Sequence, residues 1–160
     1  MEFGFSKELD LLREMYKKFA ETEIKPLAEE LDEEERFPVE SIPKLARYGF
    51  MGIPFPKEYG GAGGNYLTYA MAIEELGKVC GTTAVVVSAH TSLCAGPIYY
   101  FGTEEQKQKY LVPLAKGEKI GAFGLTEPSA GTDSSMQQTT AKLEGDEYVL
   151  NGTKVFITNA

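Results

Sequence analysis

Two stretches of this 160-residue chain gather residue types that could do chemistry: Phe123-Gly-Leu-Thr-Glu-Pro-Ser-Ala-Gly-Thr-Asp133 and Lys154-Val-Phe-Ile-Thr-Asn159. The first reads as a strand that breaks at Glu127-Pro128 into a turn of small and hydroxyl-bearing residues, where backbone N–H groups become free to bind a ligand. A planar, polar cofactor suits it. The second sets Phe156 beside Ile157 and Thr158, so that a ring system could stack on the phenyl group while the threonine hydroxyl bonds its rim. Taken alone, each stretch is also readable as an ordinary turn or core strand. The remaining reactive types are few. Cys80, Cys94 and the single His90 cannot supply the four ligands of a structural zinc site, and no metal site is expected. They cannot build a disulfide framework either, which makes a reducing cytoplasm the default compartment. His90, alone on an apolar helix, reads as a hydrogen-bonded core histidine rather than a catalyst.

The elements that must position these stretches follow from periodicity. Leu12, Met15, Tyr16 and Phe19 recur at helical spacing after Ser6, an N-cap, and Pro26 is expected to kink or break the continuing pattern before the acidic run Asp32 to Glu35. That run reads as a solvated helix end. Further helices are expected from about Val39 to Tyr48, closed by Gly49; from Asn65 as cap to about Lys78; from Thr82 to about Ala95; and from the capping box at Thr103 to about Ala115, with Pro113 disturbing its last turn. Six helical segments thus precede residue 118. The loop Gly52 to Asn65 is too irregular, and follows prolines where a strand should be, for its glycines to form a dinucleotide fingerprint. From Gly121 the period changes. Thr139 to Leu143 and Glu147 to Leu150 alternate about a Gly145-Asp146 turn, Asn151-Gly152 is a type I′ hairpin signal, and Thr153 to Thr158 is a further β-rich run. Helices followed by strands make an α+β chain, with residues 1–118 a helical domain and 119–160 the beginning of an antiparallel β domain.

Composition narrows the partners. Acidic residues outnumber basic ones 24 to 16, for a formal charge of −8, and no stretch interleaves Lys and Arg with aromatics, so nucleic acid is not expected. An apolar fraction of 42% and an aromatic fraction of 11% are those of a folding chain. The N-terminal stretch carries acids where a signal peptide would be basic, and no apolar run reaches a membrane span.

The two chemistry-bearing stretches, about 25 residues apart, together resemble the flavin-binding signatures of the acyl-CoA dehydrogenase family. Supporting pieces are Tyr48-Gly-Phe-Met-Gly-Ile-Pro, Lys57-Glu-Tyr-Gly-Gly-Ala-Gly-Gly, Ala72-Ile-Glu-Glu-Leu, Phe101-Gly-Thr-Glu-Glu-Gln-Lys and Tyr110-Leu-Val-Pro-Leu-Ala-Lys-Gly-Glu. Val79-Cys-Gly-Thr-Thr and Ser88-Ala-His-Thr-Ser-Leu-Cys look most like the butyryl-CoA, short-chain branch. The resemblance implies an FAD enzyme that oxidises an acyl-CoA to the trans-2-enoyl-CoA. A base removes the α-proton, the β-hydrogen leaves as hydride to flavin N5, and electrons pass to an electron-transfer flavoprotein. It implies a helical domain, a β-barrel-like middle domain and a C-terminal four-helix bundle, in homotetramers, of which the last domain is absent from this sequence.

Carried over by residue, Phe123, Gly124, Leu125, Thr126, Gly131 and Thr132 would line the flavin, Leu125 and Thr126 meeting its N5 edge and pyrimidine side. Thr132 replaces the family's usual Ser and would also meet the CoA side of the substrate. Phe156, Ile157 and Thr158 match a Trp-Ile-Thr pattern, keeping a stacking face without the indole N–H. Val85 to Ala89, with Val86 and Ala89 as the substrate-facing candidates, match the floor of the acyl pocket, though such residues serve equally as core. Tyr99 and Tyr100 read as packing. No acid sits in a motif matching the catalytic base, which is expected in the absent C-terminal domain, and Glu127 is expected to orient its loop. Alternatives are an enoyl-CoA reductase or acyl-CoA oxidase on the same scaffold, or a helical interaction domain without activity.

Overall fold

A computed structural model describes residues 4–160; the first three, which head the acidic N-terminal stretch, lie outside them. Ser6 opens α1 (Lys7–Phe19), its hydroxyl accepting the Leu9 N–H at 3.3 Å while Glu8 and Asp10 sit in the first turn, where the helix dipole favours them. Tyr16 and Phe19 enter the core, where Phe50 packs 4.4 Å from Phe19 between ring centroids; Met15, expected on the same face, stays half exposed.

Of the kink or break expected at Pro26, the break does not occur. The backbone widens into a π turn, Ala20–Ile24, and continues as α2 (Lys25–Glu33), with the Lys25 N–H bonded to the Ala20 carbonyl. The same arrangement recurs before Pro97, where Gly96 N–H bonds Thr91 C=O, and before Pro113, where Val112 N–H bonds Lys107 C=O. Proline lacks an N–H and its ring collides with the carbonyl four residues back, and a hydrogen bond to the fifth residue back, placed just before the proline, opens room for that ring. The helices therefore run through their prolines. α5 (Gly81–Ser88), the π turn Ala89–Ala95 and α6 (Gly96–Phe101) form one rod past the end expected at Ala95. α7 (Glu104–Gln106), the π turn Lys107–Leu111 and α8 (Val112–Ala115) form another.

α3 (Ser41–Arg47) ends at Gly49 with φ 76°, as expected, and α4 (Tyr66–Gly77) opens on a reciprocal box between Asn65 and Thr68. α1 packs on α4 and α4 on α5, around a core that includes Leu45, Met51, Leu76 and Val87, each fully buried. A second cluster around Phe55, Leu111 and Leu114 seats the 104–115 rod. The acidic run 32–35 is exposed, as read, and Arg36 ties Glu30, Glu34 and Glu40 around its end. The N–H groups of the glycine run are not free to cradle a phosphate: those of residues 61–64 bond the carbonyls of Pro56, Gly52, Phe55 and Ile53. A Cβ on Gly61 would lie 2.1 Å from the Phe55 carbonyl oxygen, so glycine is there for close packing.

β1 (Thr140–Glu144) pairs antiparallel with β2 (Glu147–Asn151), Thr140 opposite Asn151 and Glu144 opposite Glu147, and both faces of the hairpin are exposed. Two expectations fail beyond it. Asn151-Gly152 is no hairpin turn, and residues 153–158 are no strand. Gly152 instead meets Thr139 so closely that a Cβ would lie 2.1 Å from its Oγ1, and the chain leads away from β2 toward residues 121–126. Those residues form no ladder, so the strand expected before Glu127 is also absent. A β-rich sequence without a partner backbone in register does not make a strand. Among the described residues, no helix is long and apolar enough to cross a membrane.

Candidate functional site

The two stretches singled out by residue type lie side by side. The Val155 N–H donates to the Thr126 carbonyl at 3.0 Å, the single backbone bond joining them among the described residues. After Thr126 the chain folds on itself, with Glu127 N–H to Ala130 C=O at 3.0 Å and Ala130 N–H to Glu127 C=O at 3.1 Å, leaving Pro128 and Ser129 at the tip.

Glu127 organises this corner. Its side chain is buried; Oε2 accepts the Gln138 N–H at 2.6 Å, and Oε1 accepts the Thr139 N–H at 3.0 Å and the Lys154 ammonium at 2.9 Å. Hydrogen bonding from Thr139, the Gln138 N–H and the Lys154 ammonium holds its pKa down to about 2. A carboxylate held ionised by three donors is a weak base, in keeping with the loop-orienting role expected for it. Lys154 completes the corner. Its Nζ donates to Leu125 C=O at 2.9 Å, Glu127 Oε1 at 2.9 Å and Gln137 Oε1 at 2.7 Å, three acceptors for its three protons.

The helical layer holds the start of the same segment. His90 is fully buried, and its Nδ1 accepts the Gly121 N–H at 2.9 Å, which places the proton of the neutral ring on Nε2. Burial lowers its pKa from 6.5 to about 4, against smaller opposing contributions from the Leu114 and Met51 backbones. From the other side, Asn159 Nδ2 donates to Gly121 C=O and to Val86 C=O, both at 3.0 Å. Both polar groups of Gly121 are thus held by side chains from distant parts of the chain.

What this scaffold presents outward is apolar surface with unspent donors. Phe123, Leu125 and Phe156 are 41%, 38% and 95% exposed. The N–H groups of residues 123–126 and 156–158 have no acceptor among the described residues. Phe156 is held at φ 58° and Asn159 at φ 69°, backbone that bulky residues rarely adopt, and such strain gathers where a side chain must be aimed for function. Gly124, Gly131 and Thr132 are exposed alongside, and Ile157 and Thr158 are half-buried. A wall with aromatic and aliphatic side chains, free amides and threonine hydroxyls fits the isoalloxazine of FAD, a flat apolar ring with a polar rim.

The acyl-floor candidates sit differently. Val86 and Ala89 are buried with Val87 in the helical core, and Val85 is the exposed valine of this turn. Val86 meets the second stretch through its carbonyl, which accepts from Asn159 Nδ2. Tyr99 packs between Phe55 and Tyr59, whereas Tyr100 is more than half exposed with its hydroxyl 3.3 Å from that of Tyr66. Cys80 is buried and caps α5 through its sulfur, and Cys94 is half-buried. Sequence reasoning missed Lys154, Asn159 and the Gln137–Thr139 segment. Lys154 and Asn159 bound the second stretch, and a cation and an amide flanking an apolar triplet were the one available signal.

The family model of the acyl-CoA dehydrogenase N-terminal domain matches residues 6–118, and that of the acyl-CoA dehydrogenase middle domain matches residues 122–160. The short-chain-specific acyl-CoA dehydrogenase of Clostridium acetobutylicum is 67% identical over 159 residues, which is 99% of this chain and 42% of the relative. A 3-(aryl)acrylate reductase of Clostridium sporogenes is 47% identical over 156 residues, 98% of this chain and 41% of the relative. Among solved structures, the acyl-CoA dehydrogenase of Bacillus anthracis complexed with FAD superposes with a TM-score of 0.89 at 38% identity, over 97% of this chain and 27% of that one. The chain thus spans well under half the length of these proteins. With both domain models matched in order, and with the wall of exposed aromatics and free amides built from the two stretches that carry the likeness, this chain belongs to the acyl-CoA dehydrogenase family.

Proposed function

We propose that the protein to which this chain belongs is an FAD-dependent acyl-CoA dehydrogenase acting on short acyl chains, and that residues 123–132 and 156–158 are one wall of its flavin site. The observation that carries this reading is the joined pair of stretches, each with solvent-facing aromatic or aliphatic side chains and unpartnered amides. Bound there, the flavin supplies a two-electron acceptor for the β-hydrogen of the acyl group. The chain's own residues bind and orient. The Thr126 amide and hydroxyl serve the ring edge where negative charge accumulates, Phe156 covers a ring face, and Thr132 serves the CoA side. Val86 and Ala89 shape the acyl pocket from behind, and Val85 is the side chain of that turn with access to it. The base comes from outside this chain, since Glu127, with its pKa held down to about 2 by its three donors, is too weak a base for an α-proton.

We place the domain boundary near Lys119, between the helical layer and the Gly121 segment, with a C-terminal helical bundle completing the fold. The full protein works in the cytoplasm as a homotetramer and hands electrons to an electron-transfer flavoprotein; its two free cysteines here support a reducing compartment. A reductase reading is favoured by the arylacrylate reductase among the relatives, and the 67% likeness to a dehydrogenase weighs against it.

The test is an anaerobic titration of the full-length holoenzyme. Butyryl-CoA should bleach the flavin bands and palmitoyl-CoA should not. Failure of butyryl-CoA to bleach a flavin that crotonyl-CoA reoxidises after chemical reduction would favour the reductase, and reoxidation by oxygen within the turnover time would favour an oxidase. A full-length protein that takes up no FAD would end the flavoenzyme reading.

A further inference from the structure

The Lys154 ammonium is aimed at one particular peptide unit. The carbonyl it bonds, that of Leu125, belongs to the same planar amide as the Thr126 N–H, and every peptide bond in the described chain is trans. In a trans amide the N–H points away from the C=O, so the Thr126 N–H emerges on the side opposite Lys154. That N–H has no acceptor among the described residues. A cation on a carbonyl draws electron density through the amide and makes its N–H a stronger donor. The next peptide is gripped as well, its carbonyl on Thr126 taking the Val155 N–H at 3.0 Å. Adjacent residues of one stretch thus hold two successive carbonyls of the other.

The ammonium is fixed as well as charged. Lys154 is about three-quarters buried, and its other two protons go to Glu127 and Gln137, the first of which is itself pinned by the amides of residues 138 and 139. A surface lysine would wander among rotamers; one with three acceptors satisfied does not. The Glu127 carboxylate beside it partly cancels its field, so the pair sets how positive the back of the Thr126 amide is.

We infer that Lys154 is a positioning residue of the flavin site: it locks the two wall segments together and polarises the Thr126 amide toward the flavin edge, raising the tendency of the bound flavin to be reduced, with Glu127 as the opposing charge. The inference rests on the flavoenzyme reading above. It concerns no atom that touches substrate, so its signature is in the flavin equilibrium rather than in substrate binding.

The experiment measures the two-electron midpoint and the FAD dissociation constant of full-length holoenzyme for the wild type, Lys154→Met, Lys154→Arg and Glu127→Gln, with the KM for butyryl-CoA alongside. Lys154→Met should disfavour flavin reduction about tenfold, a fall of about 30 mV for a two-electron couple, and weaken FAD about tenfold. Lys154→Arg, which keeps the charge, should recover more than half of the midpoint change. Glu127→Gln removes the opposing charge and should move the midpoint upward, a change of sign that loosening of the loop alone would not produce. KM should stay within about twofold. A Lys154→Met holoenzyme with an unchanged midpoint would overturn the inference, as would Glu127→Gln moving the midpoint downward or not at all, the decisive measurement should Lys154→Met fail to fold. A wild type that binds no FAD would overturn the parent reading too, whereas a wild type that binds FAD beside an indifferent lysine variant overturns this inference alone.

Discussion

Mild acid, above the carboxylate range, should destabilise this chain through its histidine. His90 is fully buried, accepts the Gly121 N–H through Nδ1, and has its pKa lowered by burial from 6.5 to about 4. Because the folded pKa lies below the unfolded one, the unfolded chain takes up the proton more readily, and stability falls as the pH drops from 6.5 toward 4 and levels off below. At about 1.4 kcal/mol per pKa unit the full loss is about 3 kcal/mol, and most of it develops between pH 7 and 4.5, before most carboxylates protonate. His90 is the chain's one histidine, so its imidazole nitrogens give unambiguous NMR signals. Those signals should report an Nε2–H tautomer that titrates near pH 4. Urea unfolding at a series of pH values should show the corresponding slope in the wild type and none above pH 5 in His90→Asn, which retains an acceptor for Gly121 without a titrating ring. An imidazole titrating near 6.5, or the same slope in His90→Asn, would refute the idea that this ring is neutral because it is dry.

Two further outcomes follow from other parts of the fold. Gly61→Ala places a Cβ 2.1 Å from the Phe55 carbonyl and 2.7 Å from that of Gly52, both backbone atoms that cannot swing aside, and should lower stability by about 2–3 kcal/mol in urea unfolding; a change below about 0.5 kcal/mol would show that the loop relaxes freely. Phe156→Ala removes a ring that is 95% exposed, so the chain's own stability should change by less than about 0.5 kcal/mol while the FAD affinity of the full-length protein falls about tenfold, measured by flavin fluorescence on titration.

Much of the helical layer was legible because its signals are local. Ser6, Asn65 and Thr103 cap the helices they were read to cap, since an N-cap bond spans only three residues and depends on little else. The prolines were only half legible, for an equally definite reason: Pro113 disturbs its helix as read, but whether a proline such as Pro26 ends a helix or is absorbed by a π turn depends on whether both sides have a core to pack on. Ile24 and Leu31 on either side of Pro26 do, as do Ala95, Leu111 and Leu114 near Pro97 and Pro113. Asn151-Gly152 misled in the same way, because a turn propensity is realised only if the following strand has somewhere to pair.

Residue types alone were enough to nominate Thr126, Phe156 and their neighbours, because amides freed by a proline-containing turn and an aromatic beside a hydroxyl suit a flat polar ligand wherever they lie. They could not say what holds those groups in place. That Gly121 is gripped by His90 and Asn159, and that Lys154 reaches back to Leu125 and Glu127, are contacts across 31, 38, 29 and 27 residues. No periodicity or cap encodes such distances. They exist because the helical core fixes where the Gly121 segment begins, and because a buried donor or acceptor must find a partner wherever the packed chain brings one.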